Sequence, residues 1–258
     1  MVKNFNKKKF NSISNNLRIE FIKLLLKGFK YHIGGTLSCL DLLIVIFYSN
    51  YIKFNNKNRD LFLLSKGHAL AALYLILIDQ KYFSHKKLEH GYKNLNLGGQ
   101  LDIFNSKFVD WNTGSLGHSI GVGIGLSIRN PNKKIWIIVG DAEFEEGSIW
   151  EALFFISEKK LNNIIIIIDR NKMSATSLIK KKDIFDKKIL NKLNFNVTEI
   201  RGHNYNDIQN CLKKCFKHKF SSVIIANTVK GKGFKILENN PKYSHQTPSD
   251  SILNSLIK

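Results

Sequence analysis

The sequence predicts an α/β fold, a parallel sheet flanked by helices. Three observations lead there. Residues 135–139 and 164–168 are continuous apolar runs, mostly β-branched and bounded by polar residues, the pattern of strands buried on both faces of a parallel sheet. Between them, residues 148–158 carry apolar groups at helical spacing, so the three segments form a βαβ unit. The alternation then continues with a strand at 196–200, a helix at 205–216 and a strand at 223–227.

The elements before that unit follow in order. Residues 1–10 carry Lys and Asn, and the first acid is Glu20, so this stretch is expected to be a flexible basic tail, with one domain over 11–258. A transit peptide would favour Arg and Ser instead. Residues 14–30 read as an amphipathic helix, with Leu17, Phe21, Leu24, Leu25 and Phe29 at helical spacing. Residues 31–35 break it. A buried helix is expected at 37–48, a short strand at 61–64 and a helix at 70–77, while 80–113 reads as irregular. Residues 116–128 are helical by length but hold Gly117, Gly121, Gly123 and Gly125. Glycine at that density costs helix stability, which points to close packing against a neighbour.

Composition narrows the class. In 258 residues, 43% are hydrophobic and 11% aromatic, enough for a core and against disorder. The formal charge of +20 raises nucleic acid as a partner, but the lysines are dispersed along the chain and make no local patch with interleaved aromatics. The longest apolar run, residues 69–78, is half of the ~20 residues a spanning helix needs, so no membrane segment is expected. Cys39, Cys211 and Cys215 lack the second pair a tetrahedral metal site requires, and an odd number of reduced thiols suits the cytoplasm. Neither an internal repeat nor a Pro- or Ser-rich linker divides the chain.

Ligands of parallel α/β sheets bind beyond the carboxyl ends of the strands, and there the sequence turns polar. One strand ends in Gly140-Asp141-Ala142-Glu143, the next in Asp169-Arg170-Asn171. Taken singly, Asp141 and Asn171 read as ordinary caps. Taken together, with a glycine before the acid, a carboxylate, an amide oxygen and a following free carbonyl form a hard-oxygen set suited to Mg²⁺ on a diphosphate.

On these residues the chain resembles the thiamine diphosphate enzymes, whose binding motif runs from Gly-Asp-Gly to an Asn thirty residues later, as Gly140-Asp141 and Asn171 do. Other stretches narrow the resemblance to transketolase. Tyr31-His32-Ile33-Gly34-Gly35-Thr36-Leu37-Ser38 is similar to its Gly-His-Pro-Gly-Gly-Ser-Leu-Ser, and Ser65-Lys66-Gly67-His68 to its Ser-Lys-Gly-His. Thr113-Gly114-Ser115-Leu116-Gly117 and Glu143-Phe144-Glu145-Glu146-Gly147-Ser148-Ile149-Trp150-Glu151-Ala152 match further segments. So do Thr228-Val229-Lys230-Gly231-Lys232-Gly233, Glu238-Asn239 and His245. Order and spacing hold from about residue 14 to 247, and the span resembles the N-terminal, diphosphate-binding half of a transketolase.

The resemblance implies a thiamine diphosphate-binding fold and, for this chain, the N-terminal subunit of a split transketolase. It implies transfer of a two-carbon ketol unit from a ketose phosphate to an aldose phosphate, in the cytoplasm and the pentose phosphate pathway. The cofactors would be thiamine diphosphate and Mg²⁺ (or Ca²⁺ or Mn²⁺). By the same carry-over, Asp141 and Asn171 hold the cation through side chains and Met173 through its carbonyl. Gly140 and Ala142 lie at the diphosphate, His68 and His245 contact it and the thiazolium side, and Gly114 and Leu116 touch the aminopyrimidine. His32 lines the substrate channel and, with His68 and His245, makes the catalytic set. Glu146 and Glu151 would join a carboxylate network between copies, with plain helix-start acids as the other reading. Lys230-Gly231-Lys232-Gly233 reads equally as a basic surface turn or a substrate contact. The glutamate that activates the aminopyrimidine belongs to the family's second domain. The expected partners are therefore a separate C-terminal subunit plus a second copy of the pair, α2β2, and the chain is expected to be inactive alone.

Three residues depart from the family pattern. Ala142 replaces the second glycine of Gly-Asp-Gly, which a backbone with φ < 0 would accept. Gln100 stands where many relatives have a histidine, and Tyr31 replaces the glycine before His32. Other thiamine enzymes (a 2-oxo acid dehydrogenase α type or a deoxyxylulose phosphate synthase type) and a non-catalytic scaffold half remain as alternatives.

Overall fold

A computed structural model describes residues 6–54, 58–82, 84–94, 110–173 and 187–257, except for the side chains of 90–94, 244 and 245. Gln100 lies outside the described residues, as does the side chain of His245. The chain order is α1 (Lys7–Leu26), α2 (Ile33–Tyr48), β1 (Leu61–Leu64), α3 (Leu70–Asp79), α4 (His85–Asn94), α5 (His118–Arg129), β2 (Ile135–Gly140) and α6 (Gly147–Glu158). It continues with β3 (Ile164–Arg170), α7 (Lys187–Lys192), β4 (Asn196–Arg201), α8 (Tyr205–Lys217), β5 (Ser222–Asn227), α9 (Lys242–His245) and α10 (Asp250–Ser255).

The strands form one five-stranded sheet in the order β1-β2-β3-β5-β4, and every pair is parallel. Because side chains alternate across a strand, each all-apolar run feeds both faces. Trp136, Ile138, Ile165, Ile167 and Ile224 join a core with α1, α2, α3 and α8. Ile135, Ile137, Val139, Ile164, Ile166 and Ile168 join a second core with Ile120 of α5, Leu153 of α6 and Leu190 of α7. No helix among the described residues is long and apolar enough to cross a membrane.

The structure corrects several boundaries. The expected tail 1–10 is too long. Asn6 caps α1 by accepting from the Lys9 N–H at 2.9 Å, and Phe10 is fully buried against Tyr205, so residues 7–10 belong to the domain. The apolar spacing was legible only from residue 13 because Lys7–Lys9 face solvent. At its other end α1 stops at Leu26 and not at residue 30, since Gly28 turns the chain at φ +85°. The 80–113 stretch contains α4, which buries Leu88. The predicted 116–128 helix starts at His118 because Gly117 takes φ +81°. Of its glycines, Gly123 has the expected close neighbour, as a Cβ there would lie 2.4 Å from Ile137, whereas Gly121 and Gly125 face open space.

Candidate functional site

Strand register builds the site. β2 pairs with β3 so that Gly140 lies opposite Asp169, and β3 pairs with β5 so that Arg170 lies opposite Asn227. The residues that follow, Asp141, Asn171 and Thr228, therefore emerge side by side at the carboxyl edge.

Asp141 is buried there. Its Oδ1 accepts from the Ala142 N–H at 2.9 Å and its Oδ2 from the Lys172 N–H at 2.5 Å. Burial, with the Asp169 carboxylate nearby, still pushes its pKa up to about 6. Asn171 Oδ1 accepts from the Met173 N–H at 3.1 Å, which closes a short turn in which Lys172 takes φ +60°. Asp141, Asn171 and Met173 are thus on neighbouring loops, as the sequence suggested. Among the described residues no three His, Cys, Asp or Glu side chains form a cation cluster, so this set is one carboxylate with amide and carbonyl oxygens. Ala142 has φ −63° and ψ −34°, so its methyl group costs no backbone strain.

Behind Asp141 lies a buried ion pair that sequence reasoning did not assign. The Lys66 ammonium contacts Asp169 and donates to Ser38 Oγ at 3.1 Å. Asp169 is fully buried and also accepts from Ser38 Oγ at 2.5 Å and from Thr228 Oγ1. Burial alone would raise the Asp169 pKa, but Lys66 and these donors hold it below the usual range. The available signal was a charged residue closing an otherwise all-isoleucine strand.

Glu143 is a second missed residue. Its carboxylate accepts from Ser65 Oγ, from the Gly117 N–H at 3.0 Å and from the Gly140 N–H at 3.3 Å. Burial raises its pKa. One side chain thereby joins the loop after β1, the end of β2 and the turn before α5 that carries Gly114 and Leu116. Gly114 is exposed with φ +143°, and Leu116 is half-exposed. A Cβ on Gly117 would strike Ser148 and Glu146, so the starts of α5 and α6 are pinned together. Glu146 and Glu151 are exposed on the outer side of that pair.

The predicted histidines divide. His32 precedes α2 and His68 lies in the turn before α3, and their rings meet edge-on with centroids 5.6 Å apart. Burial, then Lys66 and His32, push the His68 pKa down to about 3, so its ring is neutral at ordinary pH. His245 ends α9, which packs against α2. Tyr31 is a core residue stacked on Phe29, with centroids 5.9 Å apart. Lys230, which the sequence left open between a basic surface turn and a substrate contact, is not a surface charge. It is buried, with its stem along Gly34, where a Cβ would lie 2.8 Å from Lys230 Cγ. Burial and Lys66 lower its pKa to about 8.

The family model for the transketolase thiamine diphosphate-binding domain matches residues 11–251. The chain belongs to that family. It is 31% identical over 229 residues to an apulose-4-phosphate transketolase subunit of Actinobacillus succinogenes, covering 84% of this chain and 83% of that protein. It is also 31% identical over 226 residues to a 6-deoxy-6-sulfo-D-fructose transketolase subunit of a Clostridium species, covering 80% of each. The transketolase structure from Campylobacter jejuni superposes with a TM-score of 0.83 at 28% identity, over 93% of this chain. This chain spans 40% of that transketolase.

The residues present fit the family's cofactor. Asp141 is a buried carboxylate whose raised pKa a divalent cation would relieve, and the oxygen set around it is hard. Beside it, the Lys230 ammonium supplies positive charge for an anionic group, the Lys66 charge being balanced by Asp169.

Proposed function

We propose that this chain is the thiamine diphosphate-binding subunit of a two-chain transketolase that moves a two-carbon ketol unit between sugar phosphates. The observation that carries the reading is the juxtaposition of Asp141, Asn171 and Met173 at the ends of β2 and β3, with His32, His68 and Lys230 on adjoining loops. Relatives named as transketolase subunits match across four-fifths or more of both chains, which favours this reading over a 2-oxo acid dehydrogenase α type or a deoxyxylulose phosphate synthase type.

Asp141, Asn171 and the Met173 carbonyl would hold Mg²⁺, and the cation would hold the diphosphate. Thiamine diphosphate supplies an electron sink for breaking a carbon–carbon bond next to a carbonyl. The chain's own residues do the rest. His68, neutral through burial, contributes a hydrogen bond rather than a charge. His32, against it, moves protons at the substrate hydroxyls, and His245 contributes from α9. Lys230 neutralises the diphosphate side. Gly140 leaves room at the diphosphate, Ala142 borders it, and Gly114 and Leu116 meet the aminopyrimidine.

The partner proposed is a separate C-terminal subunit, and two such pairs make an α2β2 assembly joined across α5 and α6. That face exposes Ile128, Phe154 and Phe155 beside Gly121 and Gly125, with Glu146 and Glu151 on the same side. The named relatives act on different sugars, so the acceptor is left as an aldose phosphate as a class.

The deciding experiment is calorimetric titration of thiamine diphosphate with Mg²⁺ into this chain co-purified with a candidate C-terminal subunit. Saturable binding that disappears without Mg²⁺ and in Asp141→Ala is expected. A folded complex that binds no cofactor overturns the reading in favour of a scaffold half.

A further inference from the structure

Away from the proposed cation ligands, one carboxylate organises a buried network whose two arms end on a single loop. Asp41, on α2, accepts from Arg18 Nη2 at 2.8 Å, from Arg18 Nη1 at 3.2 Å, from Ser14 Oγ at 2.6 Å and from the Tyr205 hydroxyl at 3.1 Å. Its Oδ2 also lies 2.8 Å from His203 Nδ1. His203 comes from the loop after β4, and its other nitrogen, Nε2, accepts from the Val229 N–H at 2.8 Å. Arg18 runs the other way, with Nε donating to the Lys232 carbonyl at 2.9 Å.

The two arms grip the chain on either side of Lys230. Between them, the Gly231 N–H donates to the Gly34 carbonyl at 3.2 Å and the Asn239 N–H to the Lys230 carbonyl at 2.8 Å. The Lys230 side chain is then laid along Gly34 towards the fields of Lys66, Asp141 and Asp169. We infer that His203 is a positioning residue: wedged between Asp41 and the Val229 amide, it locks the 229–232 loop and so aims Lys230 at the end of β2 and β3. The inference rests on the cofactor reading only for what Lys230 faces; the lock itself is a matter of hydrogen bonds.

The geometry dictates the tautomer. A backbone N–H can only donate, so Nε2 must carry a lone pair, and a carboxylate can only accept, so Nδ1 must carry the proton. A free imidazole has no such obligation. His203 is therefore held in the Nδ1–H form by partners on both sides. Glutamine, whose terminal amide offers one donor and one acceptor about as far apart as the ring nitrogens, can bridge the same pair. Leucine cannot.

Two measurements on the full chain test this. The first is ¹⁵N NMR of the imidazoles in the wild type, which needs no variant and no cofactor. A protonated Nδ1 and a bare Nε2 at His203 are expected, and an Nε2–H tautomer overturns the lock. The second is hydrogen exchange across residues 228–234 in the wild type, His203→Leu and His203→Gln. Exchange there is expected to rise about tenfold in His203→Leu, with β3 unchanged, and to return towards the wild-type rate in His203→Gln. An unchanged loop in His203→Leu, or the same rise in both variants, overturns the lock. Thiamine diphosphate titration with Mg²⁺ on the subunit complex separates the two ideas. Weaker binding in His203→Leu with recovery in His203→Gln supports the aiming of Lys230. Equal binding in all three forms overturns the aiming. If the exchange pattern holds but the wild-type complex binds no cofactor, the lock stands and the cofactor reading falls.

Discussion

The His68 imidazole fills the space that a side chain on Gly35 would need. A Cβ built on Gly35 would lie 2.6 Å from both Cδ2 and Nε2 of the ring. The absence of a side chain in the first turn of α2 is what lets His68 stand edge-on to His32.

Gly35→Ala should therefore behave unlike an ordinary glycine replacement in a helix. Helix propensity favours alanine by roughly 1 kcal/mol, whereas overpacking costs about 1–3 kcal/mol. The clash is expected to win, with a net loss of about 1–2 kcal/mol in urea unfolding. In a His68→Ala background the same substitution should become neutral or stabilising. A loss of equal size in both backgrounds would show that the ring is not the cause.

His68 should also leave a pH signature. Its native pKa is pushed down to about 3, below its ordinary value of 6.5. Between those values the unfolded chain binds a proton that the native chain refuses, so the contribution is complete above 6.5 and is lost as the pH falls towards 3. Asp141 works in the opposite direction, because its raised pKa of about 6 adds stability as the pH falls. Comparing wild type with His68→Asn isolates the histidine. The stability difference between them should shrink by about 2 kcal/mol from pH 7 to pH 5. A constant difference would mean that His68 titrates normally.

The Lys66–Asp169 pair predicts strong coupling. Lys66 is 3% exposed and Asp169 0%. Lys66→Met leaves a buried, uncompensated carboxylate and should cost about 3–5 kcal/mol. Adding Asp169→Asn removes that charge, while Ser38 and Thr228 keep an oxygen to donate to, so much of the loss should be recovered. Additive losses in the double-mutant cycle would argue that the pair is not a unit.

The α5–α6 face predicts an effect on assembly and not on folding. Phe154 is 55% exposed, and a Cβ on Gly125 meets nothing within 4 Å. Phe154→Glu should leave the chain's own unfolding within about 0.5 kcal/mol, the usual range for surface changes, and Gly125→Leu should not lower it, since helix propensity favours leucine over glycine by roughly 0.8 kcal/mol and no neighbour clashes. If two copies meet on this face, light scattering of the subunit complex should fall from four chains to two. An unchanged mass would place the junction elsewhere.

The sheet was readable because its strands are buried on both faces, so the runs at 135–139 and 164–168 need no tertiary information to be recognised. The same holds for α2 from Leu37 on, but Ile33–Gly35 in its first turn reads as part of a break because it carries Gly34 and Gly35, whereas the residues from Ile33 to Phe47 are all helical and buried. Helices with little apolar surface were not readable: α4 buries Leu88, and α7 buries Leu190. Of the site, Asp141 and Asn171 were legible because strand ends in an α/β sheet are where polar residues acquire meaning. Lys66, Asp169 and Glu143 were not, since their partners lie 103 and 78 residues away in the chain.

The sequence alone determined the α/β class, the strand ends that matter and the family, because these depend on local periodicity and on motifs read in order. Only the tertiary structure decided how those motifs are held. Whether a lysine is a solvated surface charge or a buried counter-ion depends on what surrounds it, and Lys66 and Lys230 owe their roles to strand register and loop closure. His203 makes the same point. Nothing next to it in sequence marks it out, yet Asp41, 162 residues earlier, and the Val229 amide, 26 later, fix both of its nitrogens. Hydrogen bonds act over about 3 Å of space whatever the separation along the chain.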